Sequence, residues 1–430
     1  MKTIKNPPSS IWNTLCNRPE VKREDLEELV GNILDDVRKN GDEALLRYSK
    51  KFDKIELKSL EVSDEDIEKA IKQVPDDLKE AIALAKSNIE KFHKNEIYSE
   101  PVIETVDGVK CWRKSVAIEK VGLYIPGGTA PLFSTVLMLA VPAKIAGCKE
   151  IILCTPPSKE GEINPVVLYT AHISGIKKIY KTGGAQAIAA MAFGTETIPK
   201  VYKIFGPGNQ FVTKAKEMVR LFGTDIDMPA GPSEVLVIAD KNADPRFVAA
   251  DLLSQAEHGV DSQVVFLSNS EELIDKVQKE TQKQLSVLPR KETAEKALDN
   301  SISVLLNSLD ECVEFSNCYA PEHLIIATDN PMELADKVIN AGSVFLGKYS
   351  CESAGDYASG TNHTLPTKGF AKVSGGVSVD SFMKKITFQH LTAKGITTIG
   401  GAIEKMASAE GLDAHKNAVT IRLESIKNRE

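Results

Sequence analysis

Hydrophobic positions in the first hundred residues recur at the three- and four-residue spacing of amphipathic helices. One such series is Leu26, Leu29, Ile33 and Val37, with charged and polar residues between them. This spacing forms one apolar helix face that packs on a core while the other faces meet solvent. The pattern predicts a helical region over residues 25–119, which we expect to pack with the second of two α/β units.

Beyond residue 120, short continuous apolar runs alternate with helical stretches. Such runs are typical of strands that are buried on both faces of a parallel sheet. Asn164-Pro165, Asp244-Pro245 and Asn330-Pro331 each place a capping side chain before a proline suited to the first helical position. The predicted strands, in two sets, cover residues 121–125, 151–154, 178–180 and 201–205, and then 235–239, 264–267, 304–306, 324–327 and 344–346.

Repeated strand–helix alternation predicts an α/β fold with parallel sheets and helices on both faces. After about Asp380 the strands stop, and the end of the chain is helical in pattern. We therefore expect an N-terminal tail over 1–24, the helical region over 25–119, a first α/β unit over 120–234, a second over 235–375, and a C-terminal helical tail over 376–430.

Composition and charge narrow the class of protein. The chain has 430 residues, of which 42% are hydrophobic and 26% charged, and its formal net charge is −7. These values are ordinary for a globular protein, and the acidic balance gives no reason to expect nucleic acid as a partner. The uncharged stretch 121–143 is interrupted by Pro126 and Pro142, so we expect no membrane-spanning helix there.

The N-terminus and the cysteines point to one compartment. The segment MKTIKNPPSSIWN lacks the apolar core of a signal peptide. The seven cysteines are an odd number, widely spaced, with no Cys-x-x-Cys pair. We therefore expect a reduced, cytoplasmic protein.

Three glycine-rich turns follow predicted strands. They are Pro126-Gly127-Gly128, Gly183-Gly184-Ala185-Gln186 and Gly206-Pro207-Gly208-Asn209. Glycine lets the backbone approach a ligand, and a following helix N-terminus favours phosphate. Phe211 stands where the dinucleotide fingerprint needs its third glycine, so a nucleotide site here would be atypical. Ordinary tight turns remain the alternative.

Histidines in acid-rich contexts supply candidate metal ligands and acid–base groups. Zinc takes nitrogen and oxygen donors, with one position left open for substrate or water. The four donors Gln255, His258, Asp356 and His415 would form such a set, although their spacing is dispersed and the stretch from Asp356 onward is rich in turn formers. Structural hydrogen bonding of each histidine is the alternative.

Glu322 and His323 form an adjacent acid–imidazole pair. Histidine titrates near neutral pH, and burial can raise the pKa of a carboxyl group, so the pair could divide proton transfers. On a strand the two side chains would point to opposite faces, so the pair needs a bend, which Pro321 makes plausible. A surface salt bridge is an equally good interpretation of the pair taken alone.

The chain resembles the histidinol dehydrogenase family along nearly its whole length. The resemblance is densest from Val121 to His415. The matching blocks are VGLYIPGGTAPLFSTVLMLAVPAKIAGC, GGAQAIAAMAFGT, KIFGPGNQFVT, DMPAGPSEVLVIAD, DLLSQAEHG, YAPEHL, SAGDYASGTNHTLPT and EGLDAHKNAV.

This resemblance implies incomplete Rossmann-like units and a reaction. L-histidinol would be oxidised through histidinaldehyde to L-histidine in the last steps of histidine biosynthesis, with two NAD⁺ reduced. One Zn²⁺ per subunit would anchor the substrate without redox chemistry. His323 would take the hydroxyl proton, and Glu322 would activate water to hydrate the aldehyde. The implied zinc ligands are Gln255, His258, Asp356 and His415.

The resemblance also implies binding residues and an assembly. The substrate would be held by Ser233, His363 and Glu410, together with His323 and the four zinc ligands. NAD would contact Tyr124, Gln186 and Asn209. The family's homodimers are intertwined, so the C-terminal tail with Glu410 and His415 would complete the partner's active site.

Three rival functions stay open at this point. A cysteine nucleophile, Cys111 or Cys148, could carry the aldehyde step through a thiohemiacetal. A zinc hydrolase could use Glu322 to activate water, which would leave the glycine-rich turns unused. A non-catalytic metal or nucleotide binder is the third.

Overall fold

The computed structural model describes residues 1–18, 25–127, 131–228 and 231–428. Contacts divide these residues into two compact units. The first unit comprises Met1–Glu96 and Ile118–Phe382, and the second comprises Ile97–Ala117 and Met383–Glu430.

Strands and helices alternate along most of the first unit. The strands of the described residues are β1 (Lys2–Lys5), β2 (Ile103–Val106), β3 (Val109–Ala117), β4 (Lys120–Tyr124), β5 (Glu150–Thr155), β6 (Lys178–Lys181), β7 (Lys203–Phe205), β8 (Asp225–Ile226), β9 (Glu234–Ala239), β10 (Gln263–Ser268), β11 (Ile302–Leu305), β12 (His323–Ala327), β13 (Ser343–Leu346) and β14 (Met383–Leu391). The α-helices are α1 (Trp12–Leu15), α2 (Leu26–Tyr48), α3 (Asp64–Gln73), α4 (Asp76–Lys94), α5 (Phe133–Ala146), α6 (Pro165–Ile173), α7 (Gly184–Phe193), α8 (Gln210–Val219), α9 (Pro245–Ala256), α10 (Glu271–Leu285), α11 (Lys291–Asp299), α12 (Leu309–Tyr319), α13 (Pro331–Ala335), α14 (Glu352–Tyr357), α15 (Ala393–Ala409) and α16 (Asp413–Lys427).

Two parallel sheets form the first unit. One has five strands in the order β6-β5-β4-β7-β8, and the other has six in the order β1-β11-β10-β9-β12-β13. The strands β9 and β10 are buried along their whole length, which is why they read as continuous apolar runs. All nine predicted strands are present, and the α/β fold predicted from their alternation with helices is confirmed.

Capping side chains that directly precede a proline begin two of the helices as predicted. The side chain of Asn164 accepts the N–H of Val166 at the start of α6, and Asp244 accepts that of Arg246 at the start of α9. Asn330 precedes α13 without such a side-chain bond. Among the described residues, none of the helices is both long and apolar enough to cross a membrane.

The N-terminal helices pack mainly on helices of the predicted first α/β unit. The expected contact with the predicted second α/β unit is made by α4, whose Asn88 donates to the carbonyl oxygen of Ala358 at 2.8 Å. Val30, Leu34 and Val37 of α2 share a buried cluster with Ala187 and Met191 of α7. In addition, α3 packs on α6, and α4 packs on α5. The helical spacing gives α2 an apolar face, but it does not say which helices of the α/β fold will cover that face.

Four strands of the described residues occur where the sequence predicts tail or helix. In the predicted N-terminal tail, β1 pairs in parallel with β11 at the edge of the six-stranded sheet. In the second unit, β14 pairs antiparallel with β3, which also pairs with β2, and α15 packs on α16. The regions 25–119 and 376–430 are therefore not wholly helical, because β2, β3 and β14 lie in them. The predicted segment boundaries themselves stay predictions.

Candidate active site

The predicted catalytic residues lie at the amino edge of the six-stranded sheet. The strands β9 and β12 are parallel neighbours, and they begin at Glu234 and His323. The helix α9 follows β9 and returns along the sheet, so its last turn, which carries Gln255, comes back to the amino end of β9. This topology gathers side chains from distant stretches of the chain.

Glu322 and His323 share one space because the strand begins only at His323. Ala320, just before them, has a left-handed backbone with φ 55°, which turns the chain between α12 and β12. Glu322 Oε2 accepts the backbone N–H of Glu234 at 2.8 Å, and His323 Nδ1 lies 3.2 Å from the carbonyl oxygen of the same Glu234. The distance from His323 Nδ1 to Glu322 Oε2 is 3.6 Å. The bend that the pair requires is therefore present.

Three carboxylates surround the buried ring of His323. Nδ1 lies 3.9 Å from Glu352 Oε1, and Nε2 lies 3.6 Å from Asp356 Oδ1. Burial lowers the pKa of His323, but the carboxylates, Glu352 first, outweigh it and raise that pKa to about 10. Burial raises the pKa of Glu322 to about 8, although His323 opposes the shift. Without a cation beside them, these carboxylates therefore stabilise the protonated ring of His323. A bound divalent cation would counter the carboxylates and favour the neutral ring, which is the form that can accept a proton.

A possible cation site adjoins this ring. The ligand atoms of His258, Glu352 and Asp356 all lie within 4.8 Å of one another. With its amide nitrogen facing Glu352, Gln255 donates to that carboxylate, and its amide oxygen accepts the N–H of Glu234 at 3.1 Å. His258 is exposed by surface area. The protein nevertheless desolvates its ring, which lowers the pKa of His258 and so favours the neutral form that binds metal. Clustered carboxylates with a neutral imidazole fit a divalent cation.

Glu352 belongs to the site although the sequence pattern did not single it out. It begins α14 and is 1% exposed, and burial raises its pKa well above the ordinary value. The residues from Asp356 onward are rich in turn formers, whereas α14 runs from Glu352 to Tyr357. Residues four apart share one helix face, so the spacing of Glu352 and Asp356 was a signal that a helix assignment would have used.

The predicted substrate residues of the first unit lie close to this cluster in sequence or in space. Ser233 directly precedes β9. His363 is half-buried, and its Nε2 lies 3.2 Å from Ser134 Oγ. Burial lowers the pKa of His363 although Asp356 opposes that shift, so a neutral ring is favoured.

Two predicted site residues belong to the second unit. Glu410 directly follows α15, and His415 lies in the first turn of α16. Both side chains are exposed. Within the first unit, the structure brings together Gln255, His258 and Asp356 of the predicted zinc ligands, and adds Glu352.

The predicted NAD residues lie at the carboxyl edge of the five-stranded sheet. Tyr124 ends β4, and its hydroxyl accepts the N–H of Gly184 at 3.1 Å. Gln186 is buried in the first turn of α7. Asn209 caps α8, accepting the N–H groups of Phe211 and Val212 at 3.0 and 3.2 Å. Open parallel sheets bind ligands at this edge.

Close packing within the protein explains the glycines in two of these turns. Gly206 has φ 126°, and a side chain there would strike the carbonyl oxygen of Tyr124. A Cβ on Gly183 would lie 2.5 Å from Pro156 Cβ. Protein contacts alone therefore require glycine at both positions. In the remaining turn, Gly128 lies outside the described residues.

Cys148, one of the two cysteines proposed as rival nucleophiles, lies in the first unit but not in this cluster. Cys148 directly follows the glycine that ends α5, is buried, and lies with its Sγ 3.9 Å from the carbonyl oxygen of Phe382. Burial raises the pKa of Cys148 to about 12, which disfavours the reactive thiolate. Cys111 lies on β3 in the second unit.

Comparison with known proteins gives a consistent result. The family model described as histidinol dehydrogenase matches residues 16–423. The histidinol dehydrogenase of Bacteroides thetaiotaomicron is 60% identical over 427 residues, 99% of this chain and all of that protein. The enzyme of Escherichia coli strain K12 is 52% identical, covering 96% of this chain and 95% of that protein. A crystal structure of histidinol dehydrogenase from Elizabethkingia anophelis matches with a TM-score of 0.97 at 58% identity, covering 99% of each chain.

Proposed function

Since the chain belongs to the histidinol dehydrogenase family, we propose that Glu322 and His323 divide the proton transfers of its two oxidation steps. As a member of this family, the chain is an NAD-dependent oxidoreductase of histidine biosynthesis. The observation that carries the proposal is the contact of both side chains with the backbone of Glu234, which holds them 3.6 Å apart.

His323 is the proposed base for the alcohol step. Its Nδ1 lies 3.2 Å from the carbonyl oxygen of Glu234, so an Nδ1–H donated there fixes the tautomer and leaves Nε2 to accept a proton. Nε2 is buried and has no hydrogen-bond partner among the described residues. We assign the hydroxyl proton of histidinol to this atom, and the ring can serve again in the second oxidation.

Glu322 is the proposed base for hydration of the aldehyde. Its Oε2 is occupied by the N–H of Glu234, so we assign the proton of the attacking water to Oε1. Glu322 is 6% exposed, and burial raises the pKa of its carboxyl group to about 8. A carboxylate in such surroundings is a stronger base than one in water.

The zinc expected in this family would be held, one per subunit, by Gln255, His258, Asp356 and His415. The ligand atoms of His258 and Asp356 lie within 4.8 Å of each other, which supports this set. Bound zinc would supply positive charge beside the carboxylates and ligate the imidazole and amino nitrogens of histidinol. Glu352 would orient Gln255 through its hydrogen bond.

The remaining proposed contacts concern NAD, substrate and assembly. Tyr124, Gln186 and Asn209 would contact NAD, which accepts hydride when bound. Ser233 and His363 would hold histidinol. We also propose a cytoplasmic homodimer whose exchanged C-terminal tails supply Glu410 and His415 to the partner's site.

The test is the yield of NADH per histidine formed by zinc-loaded protein with L-histidinol and NAD⁺. Two NADH per histidine are expected, since alcohol and hydrated aldehyde each give up one hydride. One NADH with free aldehyde would refute the role of Glu322. No NADH from protein shown to hold its metal would favour a hydrolase or a binding protein instead.

A further inference from the structure

A buried ion pair lies directly behind the proposed catalytic residues. Arg18 Nε lies 3.0 Å from Glu234 Oε1, and Arg18 Nη2 lies 2.8 Å from Glu234 Oε2. The two side chains are only 14% and 2% exposed. The backbone N–H of Lys368 also donates to Glu234 Oε1 at 2.7 Å. The Glu234 carboxylate is thus fixed by three donors in a two-pronged geometry.

The backbone of Glu234 holds the catalytic pair from the other side. Its N–H donates to Glu322 at 2.8 Å, and its carbonyl oxygen lies 3.2 Å from His323 Nδ1. The same N–H lies 3.1 Å from the amide oxygen of Gln255. A displacement of this one residue would therefore move the hydrogen-bond partners of both proposed bases together.

Arg18 also binds the chain that leads into the pair. Its Nη2 lies 3.3 Å from the carbonyl oxygen of Ala320, and its guanidinium carbon lies 3.7 Å from the centre of the Tyr319 ring. Ala320 carries the left-handed turn that precedes Glu322. One guanidinium thus joins the start of β9 to the turn before β12, the two segments that carry the site.

We propose that Arg18 is a positioning residue that sets the alignment of Glu322 and His323 through the side chain and backbone of Glu234. The inference rests on the proposed roles of that pair. A lysine could not replace this arginine, because a point charge cannot bind both carboxylate oxygens and stack on a ring at once. Stabilisation of the fold is by itself a poor explanation for the Arg18–Glu234 pair, since buried ion pairs often contribute little net stability.

The test compares Arg18→Lys and Arg18→Gln with wild-type enzyme, using Trp12→Phe as a matched control. Trp12 lies in the same N-terminal segment and donates to the carbonyl oxygen of Pro7, so the control loses a hydrogen bond without touching Glu234. Both half-reactions are measured separately at 25 °C, together with bound zinc, circular dichroism and the thermal midpoint. If Arg18→Gln does not fold, Arg18→Lys, which keeps the charge, carries the test.

We expect kcat of each half-reaction to fall about tenfold for Arg18→Lys and about 100-fold for Arg18→Gln, since small misplacements of reacting groups cost this much. KM for L-histidinol and bound zinc should stay within about twofold of wild type, and Trp12→Phe should keep wild-type kcat. Unchanged kcat with a lower thermal midpoint would overturn the inference. A parallel loss of zinc would also overturn it, because it would show general collapse of the site.

A Glu322→Gln variant distinguishes failure of the proposed catalytic roles from failure of the positioning role of Arg18. If Glu322→Gln leaves aldehyde oxidation unchanged, the proposed function fails regardless of the kinetics of the Arg18 variants. If it impairs aldehyde oxidation while Arg18→Lys does not, only the positioning role of Arg18 fails.

Discussion

Changing Glu322 to glutamine should impair the second oxidation far more than the first. The amide oxygen of glutamine can still accept the Glu234 N–H that Glu322 Oε2 accepts at 2.8 Å, so the local fold should survive. What is lost is the carboxylate base. General-base catalysis contributes about 10²- to 10⁴-fold, which corresponds to roughly 3–5 kcal/mol in activation free energy. We expect a loss of this size in aldehyde oxidation.

The alcohol step should change by less than about threefold, because hydration is not part of it and His323 is retained. The assay follows NADH in single turnovers, starting either from L-histidinol or from histidinaldehyde. It should be run near pH 9, above the pKa of about 8 that burial gives Glu322, so that the wild-type carboxyl group is ionised.

Glu311→Gln is the matched control for this experiment. It makes the same acid-to-amide change at the start of α12, where Glu311 accepts the N–H of Asn307 at 3.0 Å. Both half-reactions should keep wild-type rates in this variant. Equal losses in the two half-reactions of Glu322→Gln would refute the division of roles between Glu322 and His323.

Three further predictions concern stability and thiol chemistry. Lys216→Met should lower the free energy of unfolding by about 3–5 kcal/mol in urea titrations, because the Asp227 carboxylate stays buried without its cationic partner. Adding Asp227→Asn should recover part of this loss. No recovery would contradict an energetic coupling between Lys216 and Asp227. Burial raises the pKa of Asp251 to about 7, so the folded protein keeps a proton that the unfolded chain loses near pH 4. The free energy of unfolding should therefore fall as pH rises between these values, and Asp251→Asn should remove that fall. Urea titrations of both proteins at pH 5 and 8 test this. If wild type and Asp251→Asn differ in unfolding free energy by the same amount at both pH values, the prediction is contradicted. Diamide, which takes two electrons and two protons from a pair of thiols, should join Cys16 and Cys318, whose Sγ atoms lie 3.8 Å apart; peptide mapping without reductant should find this link in wild type and not in Cys318→Ser, and no link in wild type would refute it.

Local patterns were sufficient for the strands of the two parallel sheets. Ile152 to Cys154 and Val264 to Leu267 are continuous apolar runs because both faces of these strands are buried. Asn164 and Asp244 mark helix starts because a cap acts on the next two or three N–H groups, which are close in sequence. Glu322 and His323 are adjacent in the chain, so their pairing is likewise a local feature that the sequence alone makes visible.

Long-range pairing was beyond such patterns. β14 is exposed over most of its length, so its sequence, MKKITFQHL, carries no clear alternation of buried and exposed positions. Its partner strand β3 is about 270 residues earlier, with Phe388 opposite Trp112. A strand stabilised mainly by backbone pairing leaves little trace in hydropathy, and the predicted helical tail is wrong there for this reason.

The sequence by itself thus determined the elements and the chemical types at the site, since these depend on hydrophobic spacing and side-chain chemistry. Only the tertiary structure decided which residues meet. Glu352 joins His258 across 94 residues, and Arg18 reaches Glu234 across 216. Such contacts are made when strands and helices from distant stretches pack at one sheet edge, and no local propensity encodes that meeting.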